Sequence, residues 1–394
     1  MGKKVQKSIC IFGAAYLLEQ VHQMEDQLDG ALLGQDIETI HQIRVASRRL
    51  RNGLACFLDC LPKKKAKAWQ ADIKKITQAM GNARDLDIQI ELIDQLYEDD
   101  LDPKYKPGYR RLLLRLKQKR SKAQAKVNKT ITKLKKDGTL TTLLSQLEKI
   151  SEPLQSTYLF TPSLYQKAFT TINKNLEDFL SYEKYISDPD NVKELHAMRI
   201  AGKHLRYTIE IFAPIYNQAL LPYIQLMKDI QDQLGEIHDD DVWINWLPQF
   251  IEMEQTRIED YFGNSGPLKR LLPGINHLIE DRKVARDCEY QSFLSIWESL
   301  LSENAWENLL EIIKAPINIE AALDHLAEEK SFDPDAVDDD SENDVVIKTE
   351  IETEEEPIAE QPEINISVDD EESAQFQEPE EHPDTSQEEN TQEV

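Results

Sequence analysis

The sequence predicts an all-α protein in which two tandem four-helix-bundle repeats, related by internal pseudo-symmetry, precede a disordered acidic C-terminal tail. Three observations carry this prediction. No segment alternates apolar and polar residues as a strand does. A basic block at residues 41–51 recurs at residues 196–206. The composition then changes near residue 331, where acidic residues dominate. We therefore expect repeats at residues 1–150 and 151–330, and a tail at residues 331–394.

The repeat rests on two pairs of matching blocks. The first pair, HQIRVASRRLR and HAMRIAGKHLR, lies at an offset of 155 residues. The second pair, MGNARDLDI at residues 80–88 and LGEIHDDDV at residues 234–242, lies at an offset of 154. Two matches in the same order indicate an internal duplication rather than chance similarity.

In the first repeat, apolar spacing and helix-breaking residues predict the helices in order. Pro62 ends the helix that carries the basic block, and Gly81-Asn82 predicts a turn or kink between two further helices. The helices are expected at residues 7–33, 41–61, 63–79, 83–98 and 109–136, and residues 140–150 extend the last one.

The second repeat follows residues 151–163, which contain two prolines and form the predicted linker. Each half thus has about four helices, as an antiparallel bundle requires. The helices are expected at residues 164–185, 192–212, 218–234, 237–259 and 275–301.

Charge is distributed unevenly along the chain. The formal net charge is −27, but residues 331–394 hold 25 Asp and Glu and one Lys, whereas residues 41–136 hold 25 Lys and Arg against 10 Asp and Glu. A segment so acidic and poor in aromatic residues buries too little apolar surface to fold. The tail is either a solubilising appendage or an occupant of the basic site in cis.

The four cysteines show no CxxC spacing, and nothing in the sequence indicates a disulfide. Cys56 and Cys60, one helical turn apart, are expected to be buried small hydrophobes. No apolar run is long enough for a signal peptide or a membrane span. We therefore expect a cytoplasmic protein with no membrane partner.

On a helix, each basic block presents a stripe of cations beside an apolar face. The members are spaced 3, 4 and 3 residues apart, so they share one side of the helix. Like charges at these spacings repel each other, and their repetition suggests an anionic counterpart. The two stripes are His41, Arg44, Arg48, Arg51 and His196, Arg199, Lys203, Arg206.

A third stripe follows the helix at residues 109–136. No acidic residue occurs between positions 104 and 136, so no pair within the helix offsets the repulsion. A solvated charged face and a polyanion-binding face both fit this pattern. The stripe consists of Arg111, Arg115, Lys119, Lys122, Lys126, Lys129, Lys133 and Lys136.

The acidic residues and histidines near these stripes have alternative roles. The carboxylates either hold the arginine side chains extended or cap helices after Gly81 and Gly235; they are Asp85, Asp87, Asp239, Asp240 and Asp241. His238 with Asp239 and Asp241 is a candidate metal site, and His41 and His196 are a candidate pair across the repeats. Structural or anion-binding histidines are the alternative, because HExxH and HxxxH spacings are absent.

These features favour a non-enzymatic polyanion-binding site without a cofactor. Multiple cations suit a phosphate chain because each contact is charge-assisted. A nucleic-acid or ribonucleoprotein binder is the alternative, although the stripe at residues 111–136 contains no aromatic residue for stacking on bases. A metal-dependent phosphohydrolase is the third hypothesis. No glycine-rich phosphate loop or nucleophile elbow is present.

The paired blocks HxxRVxxRRLR…GxARDLD and HxxRIxxKxLRY…LGEIHDDD resemble the CHAD domain, the conserved histidine α-helical domain family. The resemblance covers roughly residues 7–315. It implies two four-helix-bundle repeats around a basic groove that binds inorganic polyphosphate, and an association with polyphosphate granules. It does not imply catalysis, since no triphosphate-hydrolase domain accompanies these residues.

Carried over by motif position, the resemblance assigns ten residues to that groove. Lys203 and His204 replace the Arg48 and Arg49 of the first repeat, so the two repeats are not expected to contribute equally. The ten residues are His41, Arg44, Arg48, Arg49, Arg51, His196, Arg199, Lys203, His204 and Arg206.

Overall fold

The computed structural model describes residues 6–34, 37–98, 101–152 and 160–330. This part of the chain contains ten α-helices and no strand, which confirms the all-α prediction. The tail predicted to be disordered lies outside the described residues. The helices are α1 (Lys7–Leu33), α2 (Ile37–Cys56), α3 (Lys63–Glu98), α4 (Lys106–Asp137), α5 (Thr139–Ser151), α6 (Pro162–Leu180), α7 (Val192–Phe212), α8 (Leu221–Phe262), α9 (Leu272–Ser302) and α10 (Ala305–Lys330).

The first half forms a bundle around one apolar core. Helices α1, α2 and α5, the start of α3 and the end of α4 bury aliphatic side chains such as Leu50, Ile73 and Ile131 there. Gly138 separates α4 from α5 with a φ of 63°, a left-handed conformation that glycine adopts without steric cost. A separate helix therefore begins after this glycine, and α5 packs on α1.

The second half repeats this order of neighbours. Helix α6 packs on α7, α7 on α8, α8 on α9 and α10 on α6, as α1 packs on α2, α2 on α3, α3 on α4 and α5 on α1. Its core contains Leu205, Phe212 and Phe293. The pseudo-symmetry of the halves stays a prediction from the repeated sequence blocks, as do the domain boundaries near residues 150 and 331.

A third apolar core lies where the long helices extend past their bundles. The end of α3 and the start of α4 pack there against the end of α8 and the start of α9. Gly108 and Gly274 allow the starts of α4 and α9 to approach closely, because a Cβ at either position would overlap the carbonyl oxygen of the residue that precedes the other helix. The two halves are thus joined by a shared core as well as by the chain.

Several predicted helix boundaries are wrong. Gly81-Asn82 does not interrupt the helix, since α3 continues through both residues. Gly235 likewise lies inside α8. Glycine costs about 1 kcal/mol in a helix interior, which the burial of Met80 and Ala83 offsets. Helix α2 ends at Cys56 and a short 3₁₀ turn follows. Among the described residues, each half contains five α-helices rather than about four, because α5 and α10 are separate elements.

The expectation that no disulfide forms is also wrong. Cys10 at the start of α1 is bonded to Cys60 in the turn after α2, with Cα atoms 5.2 Å apart. Their separation of 50 positions conceals this pairing in the sequence. Cys56 is half-buried, and its burial raises the pKa of its thiol to about 11, which leaves it unreactive near neutral pH. Among the described residues, no helix combines the length and the apolarity that crossing a bilayer requires.

Candidate functional site

The two basic blocks fold into α2 and α7, and these helices pack against each other across the two halves. Phe57, directly after α2, contacts Phe212 at the end of α7, with ring centroids 6.1 Å apart. These positions correspond in the two sequence blocks, so equivalent ends of the repeat meet. The contact places the cation stripes of α2 and α7 beside each other.

A cavity of about 480 Å³ lies between α2, α3 and α7, and we call it the α2–α7 cavity. Its wall contains six Lys or Arg residues and a histidine, but no Asp or Glu. The wall consists of Arg48, Arg51, Asn52 and Ala55 from α2, Lys67, Gln70, Ala71 and Lys74 from α3, and Arg199, Ile200, Lys203, His204 and Tyr207 from α7.

From α2, the structure places Arg48 and Arg51 in the cavity wall and the other predicted residues outside it. Arg44 is buried, and its Nη2 lies 3.2 Å from Oδ1 of Asp85 on α3. Arg49 donates from Nε to Glu210 on α7 at 2.9 Å. Arg49 therefore links the two halves beside the cavity instead of lining it.

From α7, Arg199, Lys203 and His204 enter the wall, whereas Arg206 and His196 do not. Arg206 is buried and donates to Gln231 at 2.8 Å and to Glu210 at 2.9 Å. Glu210 thus receives Arg49 and Arg206 together. His196 lies with its Nδ1 3.0 Å from Nδ1 of His238, a histidine of its own half. Its pairing with His41 across the repeats stays a prediction.

The acidic residues of the second blocks lie inside helices, so the helix-capping alternative for Asp85 and Asp239 is wrong. Asp85 holds Arg44, and Asp239 lies 3.7 Å from Nη2 of Arg199. Burial raises the pKa of the Asp239 carboxyl to about 7; Arg199 opposes this rise and Asp85 adds to it. Two equivalent Arg–Asp pairs thus stand close enough to influence each other.

The other carboxylates that were predicted to hold the arginines of the basic stripes bind arginines of the following helix instead. Asp87 receives Nε of Arg120 on α4 at 2.6 Å. Asp241 receives Arg286 on α9, and Asp240 receives Arg282 at 3.1 Å. These pairs fasten α3 to α4 and α8 to α9. Asp241, a member of the predicted metal site, is thus bound to an arginine.

Metal ligation requires converging donors, and His238 does not offer them. Burial and the nearby Arg199 and His196 lower the pKa of His238 and keep its ring neutral. The described ranges contain no group of three or more His, Cys, Asp or Glu residues placed to hold a metal ion.

The electrostatics of the cavity wall centre on Lys203. Burial, followed by Arg199, Arg48 and Arg44, lowers the pKa of its amine well below the ordinary value. Burial alone would raise the pKa of Tyr207, but Arg48 and Arg206 outweigh it and lower that pKa. Neighbouring arginines thus lower both pKa values, and for Lys203 burial is the larger cause.

The stripe on α4 has a different environment. Arg111 and Arg115 bind the carboxylate of Glu254 on α8, which is fully buried. Lys119 lies over the ring of Trp246, 4.7 Å from its centroid. Lys122, Lys126 and Lys129 are exposed on the part of α4 that follows. The stripe is therefore outside the cavity wall, and its first half is occupied by groups from α8.

A family model described as the CHAD domain matches residues 15–248, more than half of the chain. The chain belongs to the CHAD domain family. This confirms the resemblance drawn from the two pairs of sequence blocks.

Two solved structures are similar to this CHAD protein. The CHAD domain from the plant Ricinus communis is 22% identical, with a TM-score of 0.48, over 79% of this chain and 91% of that chain. PptA from Streptomyces chartreusis is 14% identical, with a TM-score of 0.49, over 74% of this chain and 99% of that chain. No match to a curated protein was found.

In this CHAD protein, α3 supplies cavity residues that the sequence analysis did not single out. Lys67 and Lys74 are seven positions apart, and Gln70 lies between them on the same face. Such spacing places side chains on one stripe of a helix. The basic composition of residues 41–136 includes Lys67 and Lys74. The cation stripes that begin at His41 and Arg111 are more regularly spaced than these two lysines.

Proposed function

We propose that the α2–α7 cavity binds inorganic polyphosphate and that the protein acts through this binding without catalysis. The observation that carries the proposal is a wall with six Lys or Arg residues from three helices and no acidic residue. Repulsion among these cations is relieved when an anion enters. Phosphate chains carry one negative charge after another, so they match a wall with several cations.

Preformed geometry supports the same proposal. Arg199 lines the cavity, is 1% exposed, and has its Nη2 3.7 Å from Oδ1 of Asp239. Side chains already held by packing and hydrogen bonds lose less conformational entropy when a ligand binds. Hydrogen bonds between guanidinium and phosphate groups are charge-assisted and bidentate, which gives specificity for phosphate oxygens.

A competition experiment tests the proposal. Long-chain polyphosphate is bound to the full chain at physiological salt, and single-stranded RNA is added as competitor. A polyphosphate site resists RNA, because its cavity accommodates a phosphate chain without bases or sugars. Displacement by equal amounts of RNA would instead indicate a nucleic-acid surface.

Matched variants locate the site. Arg51→Gln with Lys74→Gln removes two cations from the cavity wall, and we expect binding to weaken by about tenfold or more, since hydrogen bonds to charged groups contribute roughly 1.5–3 kcal/mol each. Lys133→Gln with Lys136→Gln removes the same charge from exposed positions on α4. Equal losses in both pairs would show that net charge, and not the cavity, governs binding.

A further inference from the structure

The cation stripe on α4 has two parts with different surroundings. Its first part, Arg111 and Arg115, binds the carboxylate of Glu254 on α8. Its second part is exposed, and no carboxylate of the described residues pairs with it. We call this second part the α4 lysine row; it consists of Lys122, Lys126, Lys129, Lys133 and Lys136.

The geometry of the α4 lysine row suits an extended acidic chain. Its members are spaced 4, 3, 4 and 3 residues apart, so they share one side of α4. At a rise of 1.5 Å per residue, the row is about 21 Å long. Like charges at these spacings repel each other, and carboxylates laid along the helix relieve that repulsion.

Carboxylates already bind α4 at neighbouring positions. Besides Glu254, Asp87 of α3 binds Arg120, and Asp29 of α1 binds Lys135. Each of these acids comes from a different helix that packs near α4. The same chemistry therefore completes the α4 lysine row wherever the protein supplies further carboxylates.

The tail at residues 331–394 supplies such carboxylates. It holds 25 Asp and Glu against one Lys, and it follows directly after α10. At about 3.3 Å per residue, its extended length is up to about 210 Å, whereas α8, with 42 residues, is about 63 Å long. The tail is therefore long enough to reach α4, and its covalent tether raises its effective concentration there.

We propose that the tail docks in cis on the α4 lysine row. Its carboxylates pair with the five lysines as Glu254 pairs with the arginines of the same stripe. Each exposed ion pair is weak by itself, so the contact depends on several pairs formed by one tethered chain. The contact involves α4 and not the wall of the α2–α7 cavity. It therefore depends on neither polyphosphate binding nor the cavity.

Zero-length cross-linking of the full chain tests this contact. A water-soluble carbodiimide activates a carboxylate, and a lysine Nζ in contact with it forms an amide bond while the carbodiimide leaves as a urea. Peptide mass spectrometry then quantifies the amides between the tail and each lysine. We expect about tenfold or more of them on the α4 lysine row than on Lys63, Lys64 and Lys65 of α3, which are also exposed.

Three patterns would overturn the inference. The first is a lack of tail cross-links on the α4 lysine row. The second is equal cross-linking of residues 63–65, which would show that the tail contacts any basic surface. The third is a concentration of cross-links on Lys67 and Lys74, which would place the tail at the α2–α7 cavity.

Isotope labelling distinguishes a contact within one chain from a contact between two copies. Natural and ¹⁵N-labelled chains are mixed in equal amounts before cross-linking. We expect the cross-linked peptide pairs to be either both labelled or both unlabelled. Mixed pairs at the frequency of random combination would assign the contact to a second copy and overturn docking in cis.

Matched variants locate the contact. Lys126→Gln with Lys129→Gln removes the middle of the α4 lysine row, and we expect cross-linking of its three remaining lysines to fall about fivefold or more, because several pairs act together. Lys63→Gln with Lys64→Gln removes the same charge from α3 and should leave that cross-linking unchanged. Unchanged cross-linking in the α4 variant, or equal losses in both variants, would overturn the inference.

Discussion

The α2–α7 cavity and helix α4 are both rich in cations, yet their surroundings differ. In the cavity, cations from α2, α3 and α7 converge on a wall without an acidic residue. On α4, Arg111 and Arg115 bind Glu254, and Arg120 binds Asp87. Regular cation spacing thus identifies a basic helix face, whereas acidic residues from other helices decide whether that face is available to a ligand.

The largest expected effect is a loss of stability when the carboxylate that binds the arginines of α4 is removed. Glu254→Gln leaves Arg111, Arg115 and Arg257 without their shared carboxylate. Removing one partner of a buried ion pair costs about 3 kcal/mol, so we expect a loss of that order in the free energy of unfolding, measured with urea. Glu252→Gln, two residues earlier and exposed, is the control and should change stability by less than about 0.5 kcal/mol. Equal stability of the two variants would refute the structural role of Glu254.

The second effect concerns binding. Arg48→Gln with Arg51→Gln is expected to weaken polyphosphate binding about 100-fold, or roughly 2.7 kcal/mol, because two charge-assisted contacts are lost. Lys122→Gln, Lys126→Gln and Lys129→Gln together test the predicted part of α4 and should weaken it less than about tenfold, since these lysines are exposed and screened by salt. Titration calorimetry measures both. A greater loss in the α4 variant would transfer the main site from the cavity to α4.

The third effect is a pH dependence of stability. The folded pKa of Asp239, about 7, lies above its ordinary value of 3.8, so between these values the folded state binds more protons than the unfolded state. Its contribution to stability is therefore full below the ordinary value and is lost as the pH rises to about 7. From pH 5 to pH 8, the natural protein should lose about 2 kcal/mol more than Asp239→Asn. Parallel pH profiles of the two proteins would contradict this prediction.

The smallest effect is a pH dependence of binding. Polyphosphate favours the ammonium form of Lys203, whose pKa is lowered in the free protein, so binding takes up a proton. Affinity should therefore fall as the pH rises above that lowered pKa, by no more than about tenfold per pH unit. Lys203→Arg keeps the charge at all of these pH values and should flatten the profile. A profile of unchanged slope in this variant would exclude Lys203 as its origin.

Much of the fold followed from local sequence patterns. The bounds of α1 and the presence of α2, α4 and α7 follow from apolar and basic periodicity, because a helix buries one face along its whole length. The continuity of α3 and α8 did not follow, since burial of their neighbours outweighs the preference of Gly81 and Gly235 for breaks. The Cys10–Cys60 disulfide was not predictable from local patterns either, because it depends on two elements that meet only in the folded structure.

By itself, the sequence determined the helical class, the repeated basic blocks and the family. It placed Arg48, Arg51, Arg199 and Lys203 on stripes that share a helix face. Only the tertiary structure decided that Lys67 and Lys74 join them, and that Arg111 and Arg115 are bound by Glu254. The physical reason is that helical periodicity is a local property, whereas the electrostatic environment of a side chain depends on every helix packed around it.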